Sequence, residues 1–231
     1  MTSSPSPSSD PNPENAATAA VEALNLSNHF LIATPEVQDD LFEKSLVYVC
    51  QHSENGVLGL VVNKPTDILL ARLFEQVDLP LERQDLQQLS VLEGGPLHTE
   101  RGFVLHERMQ ALSAEPPSCN QDQGIDGEDS IYTATLLVRG SNLELTTSTD
   151  IMRAMADGGG PKQVLVALGY ASWGGGQLEE ELAQNAWLTL PANAAQTEQI
   201  LFATQPQARY GAALQLLGLQ EWMLGAGAGS A

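Results

Sequence analysis

The residues with the best spacing for chemistry lie in a glycine-rich segment that joins an apolar run to a polar one. Residues 164–168 are all apolar and predict a buried strand, and residues 177–186 carry polar and apolar side chains at helical spacing. A strand, a glycine turn and a helix often form a binding site, because glycine lets the backbone approach a ligand closely. We therefore expect ligand or partner contacts from Gly169, Tyr170, Trp173, Gly176, Gln177 and Glu179.

Two specific chemistries fit this segment poorly. A serine nucleophile elbow needs Gly-x-Ser-x-Gly, whereas Ser172 follows Gly169 with two residues between them. A phosphate-binding loop needs Lys and then Ser or Thr after its last glycine, whereas Gln177 follows Gly176. The acidic run that begins at Glu179 would also repel an anion from the start of the helix. The segment therefore predicts neither a catalytic serine nor a phosphate site.

Metal chemistry is also poorly supported. His98 and His106 are eight residues apart, which matches neither the helical spacing nor the zinc-finger spacing of metal ligands. The two cysteines, Cys50 and Cys119, are 69 positions apart and predict neither a disulfide framework nor a metal site. We therefore predict no metal, no cofactor and no catalytic residue, and the question whether the chain is an enzyme stays open.

The charge and hydropathy of the chain bear on its partners and its location. The 231 residues include 29 acidic and 10 basic side chains, which give a formal net charge of −19. Because nucleic-acid affinity comes mostly from Lys and Arg side chains that neutralise phosphates, we expect no direct nucleic-acid binding. No run reaches the ~18 apolar residues of a membrane helix, and the Ser- and Pro-rich start lacks the apolar region of a signal peptide. We therefore expect a cytoplasmic protein without membrane contact.

Composition divides the chain into one domain and two tails. Residues 1–24 are rich in Ser, Pro and Asn and predict a disordered tail. Residues 25–220 predict a single domain with a mobile polar loop at residues 107–129, and residues 221–231 predict a frayed tail. Within the domain, hairpins are expected at the Asn-Gly of residues 55–56 and around residues 140–142. Capping signals predict one helix after Thr66 or Asp67 and another at the capping box that Thr147 forms with Asp150, three residues later.

Two further turn-rich segments directly follow apolar runs and complete the candidate site. They consist of Asn63, Lys64 and Pro65 and of Gly94, Gly95 and Pro96. Because strand ends on one side of a sheet converge, we expect Trp173 to lie beside one of these segments. We also expect the glycines at 174–176 to need backbone angles closed to other residues, and Trp173 to be either a contact surface or a core side chain.

Several sequence blocks follow one another in a consistent order. They are HFLIA at 29–33, KSLVYVC at 44–50, GVLGLVVNKP at 56–65, GGPL at 94–97, RGFVLH at 101–106, TTS at 146–148 and the run from 168 to 182. In this set and order the chain resembles the AlgH/YqgE family of bacterial proteins, from residue 28 to about residue 218. Lys44 and Ser172 depart from the family, which often has Arg and Gly at these places.

The resemblance implies an α+β fold in which a mixed β-sheet curls into a pseudo-barrel with helices packed around it. Members are largely uncharacterised, and the family name carries a suggested role as a transcriptional regulator of alginate synthesis. Because the chain is acidic and shows no helix-turn-helix with a basic second helix, such a role would act indirectly, through a protein partner. We therefore expect a regulatory or protein-interaction module; the alternative is a small-ligand-binding protein or enzyme that uses the glycine-rich cleft at the strand ends.

Overall fold

The computed structural model describes residues 25–109 and 130–225. In chain order its elements are β1 (His29–Ala33), β2 (Leu46–Ser53), β3 (Gly56–Val61), β4 (Pro65–Leu69), α1 (Leu70–Gln76), β5 (Ser90–Glu93), β6 (Leu97–Glu107), β7 (Thr135–Leu137), β8 (Leu143–Thr146), α2 (Thr149–Ala156), β9 (Val164–Gly174), α3 (Gln177–Ala183), β10 (Trp187–Pro191), α4 (Ala194–Glu198), a π-helical turn (Gln199–Ala203), α5 (Pro206–Leu216) and α6 (Glu221–Gly225).

The strands form one mixed sheet that curls on itself, with the helices packed around it. The strand order is β10-β1-β2-β3-β9-β6-β8-β7, and β5 joins β9 while β4 pairs with β5. The pairing of β5 with β9 is parallel and the other pairings are antiparallel. The α+β fold with a curled mixed sheet, which the family resemblance implied, is confirmed.

Strand β9 holds the curled sheet together because it has three neighbours. Its first half, up to Leu168, lies between parallel β5 and antiparallel β6. Its second half, from Ala171 to Gly174, pairs with β3 instead. The long apolar run at residues 164–168 therefore reflects a strand that is covered on both faces, as expected for a strand at the centre of a sheet.

The buried side chains form three clusters that the alternation of the strands separates. The first includes Phe30, Tyr48 and Leu105 and is covered by the π-helical turn and α5. The second lies on the opposite face of β1, β2 and β3 and is covered by α3. The third lies beneath α1 and α2, around Phe74 and Ile151. Since neighbouring residues of one strand point to opposite faces, each central strand supplies side chains to two clusters.

Both predicted hairpins are present, whereas both predicted helix caps are wrong. Strands β2 and β3 form the first hairpin, and β7 and β8 form the second. Thr66 and Asp67 lie within strand β4, and α1 begins after Leu69 without a side-chain cap. Helix α2 begins after Ser148, again without a side-chain hydrogen bond from the cap residue. At Thr66 and Asp67 the capping pattern does not mark the start of a helix, because the chain continues there as a strand that pairs with β5.

The ends and the long loop can be compared with the sequence only in part. Glu107, predicted as the first loop residue, is the last residue of β6. Residues 221–225, predicted as part of a frayed tail, form α6. The predicted tail at 1–24 and the rest of the predicted loop from 110 onward lie outside the described residues. Among the described helices, none combines the length and apolar character needed to cross a membrane.

Candidate functional site

Three of the predicted site glycines form a close crossing of two backbone segments. A Cβ added to Gly94 would lie 2.3 Å from the carbonyl oxygen of Gly169, and one added to Gly95 would lie 2.1 Å from the carbonyl carbon of Tyr170. Gly169 has a φ of +73°, and a Cβ on it would lie 2.4 Å from the carbonyl oxygen of Gly95. The opposing backbone therefore leaves no room for side chains at this crossing. This packing accounts for the three glycines, and no bound ligand is needed to explain them.

Gly169 also reverses the alternation of side chains along β9. Before it, Leu165 and Ala167 pack into the first core cluster; after it, Tyr170 packs against the same cluster. Trp173 points to the opposite face and belongs to the second cluster. The left-handed conformation of Gly169 thus inserts a one-residue shift, as in a β-bulge.

The outer edge of the crossing is a small aromatic surface. The pairing of β6 with β9 skips from Leu97 to Gly102, so that the residues between them bulge outward opposite Gly169. His98, in this bulge, stacks on the ring of Tyr170 with a centroid distance of 5.9 Å and an interplanar angle of 8°. Phe103 supports Tyr170 from the core side at 5.2 Å. A rigid backbone therefore presents a stacked pair of rings at the surface.

The segment of Asn63, Lys64 and Pro65 lies next to this crossing. The backbone N–H of Val61 donates to the carbonyl oxygen of Gly94 at 2.8 Å, and that of Glu93 donates to the carbonyl oxygen of Lys64 at 2.8 Å. The Asn63 side chain accepts from the N–H of Leu46 at 2.7 Å and donates to the carbonyl oxygen of Lys44 at 2.8 Å. Pro65 pairs with Leu92 in the sheet, and the Lys64 ammonium group donates to the carbonyl oxygen of Asp40.

The structure thus brings together part of the predicted site. The backbones of Asn63, Lys64, Pro65, Gly94, Gly95, Gly169 and Tyr170 meet at the crossing. Pro96 follows directly and is exposed. The remaining predicted residues, Trp173, Gly176, Gln177 and Glu179, belong to a second group around α3.

Trp173 is a core side chain in this second group. It is 4% exposed and packs against Trp187, with the ring centroids 5.8 Å apart and an interplanar angle of 84°. Phe42 covers both indole rings, at 6.2 Å from Trp173 and 5.9 Å from Trp187. Both indole N–H groups donate to the same carboxylate oxygen of Glu181, at 2.9 Å and 2.7 Å. The expectation that Trp173 would lie beside one of the other two segments is not met by these contacts, because they all come from Phe42, α3 and β10.

The turn before α3 and its first residues have structural partners. Of the three glycines predicted to need unusual backbone angles, Gly176 alone has a positive φ, +80°, so that prediction is wrong for the other two. Gln177 accepts from the N–H of Gly174 at 3.1 Å and donates to Glu181 at 3.0 Å. Glu179 lies 2.9 Å from His52 Nε2. Because His52 Nδ1 accepts from a backbone N–H, its proton is on Nε2 and points at Glu179.

The described residues do not form a catalytic constellation. Ser172 is exposed, and none of the histidine hydrogen bonds in the described segments reaches it. The buried ring of His106 is bonded to the Glu107 carbonyl and to Thr146 Oγ1, and burial lowers its pKa. Cys50 is buried, which raises the pKa of its thiol. No cluster of three or more His, Cys, Asp or Glu side chains suited to a metal ion occurs at 25–109 and 130–225.

The sequence did not reveal two residues that matter for these groups. In the sequence, Glu181 is only one member of the acidic run that begins at Glu179, although it accepts hydrogen bonds from both indole groups. His98 was considered only as a metal ligand, although its ring stacks on Tyr170. A partial signal for Glu181 was available, because a buried Trp usually needs a hydrogen-bond acceptor and Glu181 is one of the acidic residues that closely follow Trp173.

Comparisons with known proteins agree with the fold. The profile of the AlgH-like family matches residues 30–222. A UPF0301 protein of Polaromonas is 49% identical over 208 residues, which cover 90% of this chain and 96% of that protein. One of Albidiferax ferrireducens is 51% identical over 207 residues, with the same coverage of 90% and 96%.

Solved structures give the same result. The solution structure of the AlgH protein from Pseudomonas aeruginosa has a TM-score of 0.64 and 38% identity, and the match covers 90% of this chain and 97% of that one. A crystal structure of a Corynebacterium diphtheriae protein shares the fold at a TM-score of 0.56 with 16% identity, over 83% and 86% of the two chains. The family profile and the relatives at about 50% identity support the same family assignment. The chain belongs to the AlgH-like family.

Proposed function

We propose that this chain is a regulatory protein-interaction module that binds a protein partner through the surface at the glycine crossing. We call this surface, formed by Leu97, His98, Arg101 and Tyr170, the Tyr170 surface. The observation that carries the proposal is the His98 ring stacked on Tyr170 at the close crossing of two backbone segments. A rigid aromatic group at the surface loses little conformational entropy on binding, which is why aromatic residues dominate binding hot spots.

The side chains around the two rings also favour a protein partner. Leu97 is 42% exposed and pairs with Tyr170 in the sheet, so that an apolar side chain lies in solvent beside the rings. Arg101, exposed in the same bulge, supplies a planar charged group of the kind enriched in interfaces. An apolar centre with a charged rim is the usual anatomy of a protein interface.

Regulation through such a partner agrees with the charge of the chain. Because the chain has a net charge of −19, it would repel a nucleic-acid backbone. A regulatory role of the kind the family name suggests would therefore act through the partner. The alternative is a small ligand held at the glycine crossing. The cavities beside Arg209, Trp222 and Ser141 do not supply a place for it, because they are lined by none of the glycines or aromatic residues of the predicted site.

The test is a partner-capture experiment with paired variants. Leu97→Ser and Arg101→Ala alter the Tyr170 surface, and Leu216→Ser and Arg72→Ala make the same changes at exposed places elsewhere. The wild-type chain is used to capture and identify a partner from native lysate, and the partner is then purified and its affinity for each variant measured. We expect the two surface variants to bind at least about tenfold more weakly and the two controls to bind like wild type. Equal binding by all four variants, or no saturable partner, would overturn the proposal.

A further inference from the structure

Helix α5 carries a buried positive charge that has no acidic partner. Arg209 is 6% exposed, and its guanidinium group donates to the carbonyl oxygens of Thr204 at 3.0 Å and Val62 at 2.6 Å. A guanidinium group has five N–H donors, so three of them have no acceptor among the described residues. No carboxylate of the described residues lies within ion-pair distance of it either. Burial lowers the pKa of Arg209 to about 10, so the group remains charged at neutral pH.

Arg209 lines a cavity of about 410 Å³. It lies between the start of α5, the π-helical turn, β5 and β9, and its walls combine the polar side chains of Gln88, Ser90 and Thr204 with apolar ones from Leu92 and Val166. Among residues 25–109 and 130–225, no Asp or Glu lines it, although the chain has 29 acidic residues. A buried cation costs free energy unless it is paired, and no carboxylate of the described residues pairs with Arg209.

The start of helix α5 adds a second positive field to the same cavity. Gln205, Pro206 and Gln207 line it, so the N-terminal end of this 11-residue helix faces the open space. Gln205, the cap residue, makes no side-chain hydrogen bond to the helix, and the first turn contains no acidic residue. Helix α3 differs, because Glu179 and Glu180 already occupy its first turn. The positive end of the α5 dipole is therefore not neutralised by an acidic side chain of its first turn or by a side-chain cap.

The backbone in front of α5 is also unusual. Residues Gln199–Ala203 form a π-helical turn, and Phe202 and Ala203 of this turn line the cavity. Isolated π-helical turns are rare and are found frequently at functional sites. Here the turn ends at Thr204, whose carbonyl oxygen accepts from Arg209. The turn and the guanidinium group are thus parts of one arrangement.

We propose that this cavity binds a small organic anion. Its oxyanion group, a carboxylate or a phosphate, pairs with the free donors of Arg209 and lies at the start of α5, and its apolar body lies against Leu92 and Val166. Guanidinium groups recognise such oxyanions through paired hydrogen bonds. A volume of about 410 Å³ is within the range of small-ligand sites. This binding site is separate from the Tyr170 surface and does not depend on it.

The test uses the full chain with three probes at constant ionic strength: inorganic phosphate, phenylacetate and the neutral 2-phenylethanol. Binding is followed by titration calorimetry and by NMR shifts of the α5 amides. We expect saturable binding of phosphate or phenylacetate, and at least about tenfold weaker binding of the neutral alcohol. Phosphate without phenylacetate identifies a phosphate ligand, and the reverse identifies a carboxylate. No saturation by either anion up to ~10 mM overturns the proposal.

Paired variants locate the binding. Gln207→Glu places a carboxylate at the cavity in the first turn of α5, and Gln215→Glu makes the same change at an exposed place near the other end of that helix. We expect the first to weaken anion binding at least about tenfold and the second to leave it unchanged. Arg209→Lys keeps the charge and should weaken binding while circular dichroism remains that of a folded chain. Equal anion affinity of the two glutamate variants contradicts the assigned cavity even if Arg209→Lys fails to fold.

Discussion

Removing the carboxylate of Glu181 should lower the free energy of unfolding by more than is usual for a partly exposed side chain. The proposed change is Glu181→Ala, which leaves the indole N–H groups of Trp173 and Trp187 without the acceptor they share. Both indole rings are 4% exposed, so water cannot readily replace the lost partner. The rings themselves keep their contacts with each other and with Phe42.

The magnitude follows from the number of donors that lose their acceptor. A buried donor without a partner costs about 1–3 kcal/mol, so two of them cost about 2–6 kcal/mol. Gln177, which now donates to Glu181, can offer its side-chain oxygen to one indole only by rotating and giving up its hydrogen bond from the N–H of Gly174, which offsets part of the loss. We therefore expect the lower half of the range, about 2–4 kcal/mol. Trp173→Ala, which also removes the ring, should cost about 3–5 kcal/mol.

The measurement is the free energy of unfolding in urea, followed by far-UV circular dichroism. Glu180→Ala is the control, because Glu180 is exposed in the same helix and the substitution changes helix propensity and net charge equally. Glu180 lies in the first turn of α3, so its loss also removes a favourable interaction with the helix dipole of about 0.3–1 kcal/mol, which is added to the difference between the variants. Comparison of the two variants therefore isolates the hydrogen bonds of Glu181. If Glu181→Ala and Glu180→Ala agree within about 0.5 kcal/mol, the carboxylate does not hold the two indole groups and the reasoning is refuted.

Two further predictions concern the backbone crossing and pH. Gly169→Ala should cost more than about 3 kcal/mol or prevent folding, because its φ is +73° and the new Cβ would lie 2.4 Å from the carbonyl oxygen of Gly95. The control is Gly102→Ala, where the new Cβ meets nothing within 4 Å. Its stability should remain within about 1 kcal/mol of wild type in the same urea assay. Burial lowers the pKa of the His106 ring below its usual 6.5, so below pH 6.5 this ring binds a proton more readily in the unfolded chain than in the folded one. Wild type should therefore lose stability as pH falls below 6.5, and His106→Gln should lose less of it; equal losses would show that this ring does not couple folding to pH.

Local sequence signals predicted the strands and hairpins well and the helix starts poorly. The Asn-Gly turn at residues 55–56 and the apolar run at 164–168 are properties of adjacent residues, and both elements are present. The start of α1 depends on tertiary pairing, because Thr66 and Asp67 are held in a strand by β5. Pairing across the sheet outweighed the capping preference of these residues, which is a small local energy.

The structure brings together only part of the predicted group of site residues, for a related reason. Segments that follow strands do converge, so the grouping of residues 63–65 with 94–96 agrees with the structure. Trp173 was placed with them because it is close to Gly169 in sequence. Four residues of extended strand span about 13 Å, and the left-handed Gly169 reverses which face each later side chain uses. A single positive φ thus divides one continuous motif between a surface and a core.

Arg209 shows why the cavity at α5 could not be derived from the sequence. Within α5 it is an ordinary basic residue between Ala208 and Tyr210, and its neighbours in the chain give no sign of an anion site. Its burial depends on Val62, 147 residues earlier, whose carbonyl oxygen fixes the guanidinium group beside β3. The absence of acids around it is likewise a property of four separate elements that meet only in the fold. An unpaired buried charge is therefore a tertiary feature, and in a chain with nearly three acids for each base its isolation is the strongest physical reason to look for an anion there.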